Sequence, residues 1–226
     1  MDEYEGFKVY EEAAYLATLY YRLGLGPRAL LGTASLALIA SSIYVLWLLV
    51  NPLYYFEGDP VSGYVNVAWY SLDSYGKLLH VPPLDSLRHL SFALILGAML
   101  SLLNVAPLIA GLHRDRLPRI YLETTAAGYI IGGLTYALLM SFLRVLYTDI
   151  IPSVPLSSSS TTPFGTFSIH ASHGWYTDTG ILSLRLWPIY PIISAVLIGA
   201  GLILVYYIVR EYEETVDIPP IIANYS

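Results

Sequence analysis

Histidine is the residue of this chain best suited to hold a metal, and four of the five, His80, His89, His170 and His173, lie in two loops outside the long apolar segments. Imidazole is the commonest ligand for zinc and copper. His170 and His173 form an HxxH in a turn-prone stretch, so a metal site built from all four becomes possible if the two loops fold together. The spacing argues against it, because residues three apart on a strand point to opposite faces. No HExxH motif supports metal-assisted hydrolysis. Surface or hydrogen-bonded histidines are the competing reading.

A second group, His113, Arg119, Tyr121 and Glu123, stands at the end of an apolar segment and has the makings of a polar pocket for a quinone or another redox cofactor. Glu123 follows Arg119 by four residues, the helical spacing of an ion pair. Arg144 and Asp149 are a further candidate pair. Haem held by two histidines inside the membrane fits poorly. His89 and His113 bracket one apolar segment at opposite ends, and no other such segment contains a histidine. Nucleophilic catalysis finds no motif: there is no Gly-x-Ser-x-Gly, no phosphate-cradling glycine loop and no cysteine. No catalytic residue is assigned, and an enzyme is not expected. The missing cysteine also excludes disulfides, thiolate metal sites and iron–sulfur clusters.

The elements that must position these residues are set by composition. Of the 226 residues, 56% are apolar and only 12% charged, against roughly 25% charged in soluble domains. A membrane span needs about 20 apolar residues, and four segments qualify: 29–50, 90–112, 120–143 and 186–209. The fold expected is an all-α integral membrane bundle of four transmembrane helices. Met1–Glu12 is acidic and has no basic stretch leading into an apolar one, so a cleaved leader is not expected. The absence of cysteine and glutamine, with only four asparagines, matches a chain selected at high temperature. A net charge of −6 gives no support to a nucleic-acid partner.

Basic residues set the orientation. Arg114, Arg116 and Arg119 crowd the turn 113–119, while Lys8, Arg22, Arg28 and Arg210 flank the termini. Lys77, Arg88, Arg144 and Arg185 are spread over the two long loops. Both termini and the short turn are therefore expected in the cytoplasm, and loops 51–89 and 144–185 outside a plasma membrane. Trp47, Tyr54, Trp187 and Tyr190 would then mark the outer headgroup level, and Tyr206 and Tyr207 the inner one.

Helices meet in lipid through small residues. Gly128 and Gly132 form a GxxxG in the third span, and Ala195/Gly199 and Gly97/Ser101 repeat the spacing in the fourth and second. The Gly128/Gly132 face is the expected contact with other membrane subunits. Asn104 and Pro107 are the polar and helix-breaking features of the second span, and Asn104 is a candidate for a bond across helices. Residues 1–28 read as an amphipathic interfacial helix over 7–23, with a non-basic polar face suited to a partner subunit. In the first loop, residues 63–71 alternate as a strand. In the second, 151–163 reads as an exposed linker, and 166–171 with 174–177 as a hairpin turning near His173. The two loops together predict a small β-rich cap, and residues 210–226 a cytoplasmic tail.

Three functions follow. The leading one is a non-catalytic subunit of a membrane complex, with a respiratory or electron-transfer assembly as the foremost setting. The alternatives are a quinone- or redox-cofactor-binding anchor using the 113–123 group, and a cell-surface protein acting through its outer cap.

Overall fold

The structure is a computed structural model describing residues 20–21, 23–58, 61–114, 116–151, 158–162, 165–169 and 173–216. In chain order its elements are β1 (Tyr20–Tyr21), α1 (Leu25–Val50), β2 (Tyr54–Glu57), β3 (Val61–Val65), β4 (Tyr70–Ser74) and β5 (Lys77–Leu78). There follow α2 (Pro82–Gly111), β6 (Leu117–Pro118) and α3 (Arg119–Val145), which ends in a π-turn (Leu146–Ile150). The last are β7 (Ser158–Thr162), β8 (Gly165–Ile169), β9 (His173–Tyr176), α4 (Asp178–Leu186), a 3-10 turn (Trp187–Ile189) and α5 (Tyr190–Val216).

Four helical stretches are long and apolar enough to cross a membrane: Leu25–Val50, Arg88–Gly111, Arg119–Asp149 and Asp178–Arg210. The shortest has 24 residues, about 36 Å at about 1.5 Å per residue, which exceeds about 30 Å of hydrocarbon. Exposed apolar side chains cover their outer faces, among them Leu30, Leu36, Phe92, Leu103, Ile192 and Ile203. Half of the α3 window is buried (50%), against 28–33% in the others, so α3 is the hub.

Small residues and tyrosines on α3 make the helix contacts. A Cβ at Gly128 would meet Asn104, Val105 and Ser101 of α2, and one at Gly132 would meet Leu38 of α1. The GxxxG face expected to contact other subunits is thus taken up inside the chain, because α2 and α1 cover it. On the opposite side, Gly133 lies against Ser194 and Ile198, and Gly201 of α5 against Ala126 and Ile130. Ala195 is exposed and Gly199 has nothing within 4 Å, so that pair makes no close helix contact among the described residues. Toward α1, the Tyr129 hydroxyl donates to Leu31 O at 3.0 Å and lies 2.9 Å from Ser35 Oγ. The Tyr136 hydroxyl donates to Ser41 O at 2.9 Å. Asn104 does not reach across helices, since its Nδ2 donates one turn back to Leu100 O at 2.8 Å.

The α1–α2 loop and one strand of the second loop build a five-stranded antiparallel sheet in the order β5-β4-β3-β2-β9. Its register is fixed by alternation: Tyr54 and Phe56 are buried while Tyr55 and Glu57 are exposed. Gly63, opposite both Phe56 and Leu72, has φ +137°, and a Cβ there would fall 1.9 Å from Ser71 O. The inner face joins the helix core continuously through Leu49, Leu53, Val65, Leu72, Leu84, Phe142 and Leu146. Tyr54, Tyr176, Tyr147 and Trp187 extend this seam with ring centroids 4.9, 5.6 and 6.1 Å apart along the row. The opposite end of the bundle has its own small core, in which Tyr21, Leu23, Leu108, Leu117, Leu122, Leu204 and Ile208 pack together.

Several expected boundaries move. The strand expected over 63–71 is two strands joined at Asn66–Trp69, because Asn66 Oδ1 accepts from the backbone N–H groups of Ala68 (2.8 Å) and Trp69 (2.6 Å). Part of the stretch read as a linker, Ser158–Thr162, pairs with Gly165–Ile169, while His173–Tyr176 pairs with β2 instead of closing a hairpin with that strand. α2 starts earlier than its apolar core, at Pro82, where proline suits the first turn. The fourth span begins at Asp178, capped by Thr177 Oγ1 accepting from Gly180 N at 3.0 Å. Residues 1–19 and 22 lie outside the described residues, and with them most of the expected interfacial helix. Tyr20–Tyr21, expected in its last turn, is instead extended and pairs with Leu117–Pro118.

Candidate functional site

Three of the four loop histidines fall among the described residues. His80 Nε2 lies 3.1 Å from Asp85 Oδ2, with the imidazole 81% exposed. His89 is exposed on α2, and the His173 backbone lies opposite Glu57 in β2. His170 lies outside the described residues. Among the described residues no group of three or more His, Cys, Asp or Glu side chains is placed to hold a metal.

In the 113–123 group, Arg119 Nε donates to Glu123 Oε1 at 2.6 Å. Tyr121 is two residues from Arg119, about 200° round a helix of about 3.6 residues per turn. Its ring lies instead against Gly111, where a Cβ would come within 2.8 Å of two ring carbons. His113 is exposed in the turn. Helix geometry therefore keeps Tyr121 off the face that carries the ion pair. Asp149 accepts from the Thr148 hydroxyl at 2.8 Å, and no ion pair with Arg144 forms among the described residues.

Two other places gather polar groups. At the base of the sheet a cleft of about 330 Å³ is lined by Trp69, Tyr70, Leu78, His80, Asp85 and Arg88, among others. The Tyr70 hydroxyl donates to Asp85 Oδ1 at 2.8 Å and accepts from Val81 N at 3.2 Å. Burial holds the Tyr70 phenol above its usual range; the Val81 N–H opposes this and the Asp85 carboxylate adds to it. Asp85 also sits in the first turn of α2, where the helix dipole favours a carboxylate. The cleft offers both signs of charge beside an indole, but no nucleophile is aligned with its histidine.

The second place is a cleft of about 230 Å³ between α1 and the start of α5, with α3 behind it. Ala40, Leu186, Ile189 and Ile193 contribute apolar walls, and Ser41, Tyr44, Tyr136 and Tyr190 supply the polar atoms. Tyr44 Oη and Tyr190 Oη are 2.9 Å apart, and Tyr190 Oη lies 3.4 Å from both Ser183 O and Ser183 Oγ. Trp47 stacks on Tyr44 with centroids 5.9 Å apart at 29°. Sequence reasoning passed over Tyr44 and Tyr136, and placed Tyr190 at the headgroup level; its side chain is only 1% exposed and turns inward. The available signal was tyrosine within apolar segments, since a buried phenol needs a partner for its hydroxyl.

Taken together, the fold is mostly helical, with four helices long and apolar enough to span a membrane, closed at one end by an antiparallel sheet that shares their core. No protein family matches the chain, and comparison with curated proteins and with solved structures gives no match.

Proposed function

We propose that this chain is a non-catalytic subunit of a larger assembly in the plasma membrane, anchored by its four helices and docking through the outer face of its sheet. The observation that carries this reading is a row of aromatic rings across three strands. Trp175 of β9 (47% exposed), Tyr55 of β2 (36% exposed) and Tyr64 of β3 stand side by side, with Tyr55 centred 6.0 Å from Trp175 and 6.2 Å from Tyr64. Among the described residues nothing covers Trp175 or Tyr55 fully. Tryptophan and tyrosine are the residue types that anchor protein interfaces. Glu57 and Asp73, on the same face of the sheet, give the row an acidic rim, so the partner is a protein surface with a basic border.

The orientation belongs to the same proposal. Arg114 and Arg116 are exposed in the turn at the end opposite the five-stranded sheet, and the positive-inside tendency supports a cytoplasmic place for that end and an exterior one for the sheet. Isolation in mild detergent from the native membrane tests the reading. A co-purifying polypeptide that is lost from a Trp175→Ala/Tyr55→Ala variant of unchanged fold is the expected result. A chain that emerges alone, or a partner retained by the variant, overturns it.

A further inference from the structure

The cleft between α1 and α5 has a polar wall whose hydrogen bonds can run in either direction, and no role in the docking proposal uses it. We propose that it is a lateral site, open to the lipid, for the head group of a quinone. This inference is independent of the subunit reading.

Three properties select the ligand. The first is charge: among the described residues no acidic or basic side chain lines the cleft, so a phosphate or ammonium head would be desolvated there without a counter-charge. The second is size. At about 230 Å³ it falls below the roughly 300–1,000 Å³ of sites that enclose a drug-sized ligand. It seats one ring and leaves the rest of the molecule outside. Exposed Ile192 and Val196, one turn or less beyond the lining residues Ile189, Tyr190 and Ile193, provide an apolar track for a chain along α5.

The third property is the hydroxyl relay. Tyr136 uses its proton on Ser41 O. Between Tyr44 and Tyr190 either oxygen can be the donor. When Tyr190 donates to Ser183, Tyr44 donates to Tyr190 and presents only lone pairs, which suits the hydroxyl of a quinol. When Tyr190 donates to Tyr44, the Tyr44 proton is released toward the cleft, which suits the carbonyl of a quinone. A plain hydrocarbon would leave this wall unmatched, and a hydroxyl-bearing lipid would use only one of its two states. The phenol rings around the cleft complement a flat ring.

The probe is a benzoquinone with a ten-carbon tail, titrated into the full-length protein in detergent micelles, with tryptophan fluorescence reporting through Trp47 on Tyr44. Saturable quenching is expected, weakened about tenfold in Tyr44→Phe by loss of one hydrogen bond in an apolar site. Ala40 is exposed at the cleft mouth, so Ala40→Leu narrows the cleft without disturbing the core and should weaken binding at least as much. Tyr121→Phe, remote from the cleft, should leave it unchanged. Non-saturable quenching equal in all four proteins overturns the proposal. So does saturable binding indifferent to Tyr44→Phe and Ala40→Leu, or displacement of the probe by a diacylglycerol as readily as by its own quinol.

Discussion

Replacing Gly133 with alanine should loosen the contact between α3 and α5, whereas the same change at Gly199 should not. A methyl group at Gly133 would lie 2.6 Å from Ile198 Cγ1, 2.9 Å from Ser194 O and 3.1 Å from Ile198 N. The isoleucine side chain can rotate away, but the other two atoms belong to the α5 backbone. Ordinary contact with a Cβ begins at 3.4 Å, so the helices must part by about 0.5 Å here. The Ser194 hydroxyl donates to Gly133 O at 2.7 Å, and the same displacement stretches that bond to about 3.2 Å, the edge of the useful range. Overpacking costs about 1–3 kcal/mol and the weakened bond up to about 1 kcal/mol. The better helix propensity of alanine offsets about 1 kcal/mol. The net is a loss of up to about 3 kcal/mol, about 1.5 kcal/mol at the centre of these ranges. At Gly199 nothing lies within 4 Å, so only the propensity gain of up to about 1 kcal/mol remains. Thermal unfolding in detergent, followed by far-ultraviolet circular dichroism, separates the two. With about 2–4 °C per kcal/mol for a chain of this size, Gly133→Ala should melt several degrees below wild type and Gly199→Ala at or above it. Equal shifts for the two variants would refute the assignment of Gly133 to the close approach.

Three further outcomes are expected. Gly63→Ala must adopt φ +137° with its Cβ 1.9 Å from the Ser71 carbonyl oxygen, a cost of about 3 kcal/mol or more; limited proteolysis should cut the β2–β5 segment early, and an unchanged digestion pattern would count against the β3–β4 register. The Tyr147 hydroxyl is buried beside Ser183 but outside good hydrogen-bond geometry, so Tyr147→Phe should cost less than the about 1 kcal/mol of a well-formed bond, and a melting temperature lower by more than about 4 °C would show a full bond there. The phenols of Tyr70, Tyr54 and Tyr176 are all held above the usual 10, in each case chiefly by burial. An acid whose pKa is raised by folding lends stability that is complete below its unfolded value and lost as the pH climbs through the folded one; the sheet should therefore weaken above about pH 10 in an alkaline titration, and Tyr70→Phe should flatten part of that decline.

The spans were legible because hydrocarbon imposes a length and a composition that no other environment demands of 20 consecutive residues. Their ends were not, since hydropathy says nothing of the polar turns that continue a helix beyond the lipid; the Pro82 start and the Thr177 cap carried that signal instead. Gly128 and Gly132 were legible as small residues with a packing role, but spacing alone could not say which neighbour covers them, and α2 and α1 do. Conversely, Ala195 and Gly199 have the same spacing and face outward, while the contact is made by Gly201, two residues from Gly199. The strand over 63–71 was misjudged because Asn66 fits an alternating pattern by position yet bends the chain by hydrogen-bonding its own following backbone. Pairing Tyr44 with Tyr190 requires the fold itself, since nothing local links residues 146 positions apart.

The cleft follows from two different contacts on one helix. Toward α5, α3 presents Gly133, and α5 answers with Gly201, so backbone approaches backbone. Toward α1 the ties at Leu31 and Ser41 are made by Tyr129 and Tyr136, whose rings must fit between the helices before their hydroxyls reach those carbonyls. A phenol ring is a spacer as well as a fastener: it holds α1 off at the distance its length dictates, while glycine lets α5 come in. Two neighbours docked at unequal distances on a common helix part from each other in front of it, and here they part where Tyr136 stands. Lipid supplies little drive to close such a gap, because its chains are as apolar as the side chains that would fill it. The Tyr44–Tyr190 bond spans the opening near the capped end, where both rings gain a polar partner they would lack if α1 and α5 separated further. The cleft is therefore a consequence of which residues α3 uses for each neighbour, and enlarging Gly133 should change its width along with the stability of the bundle.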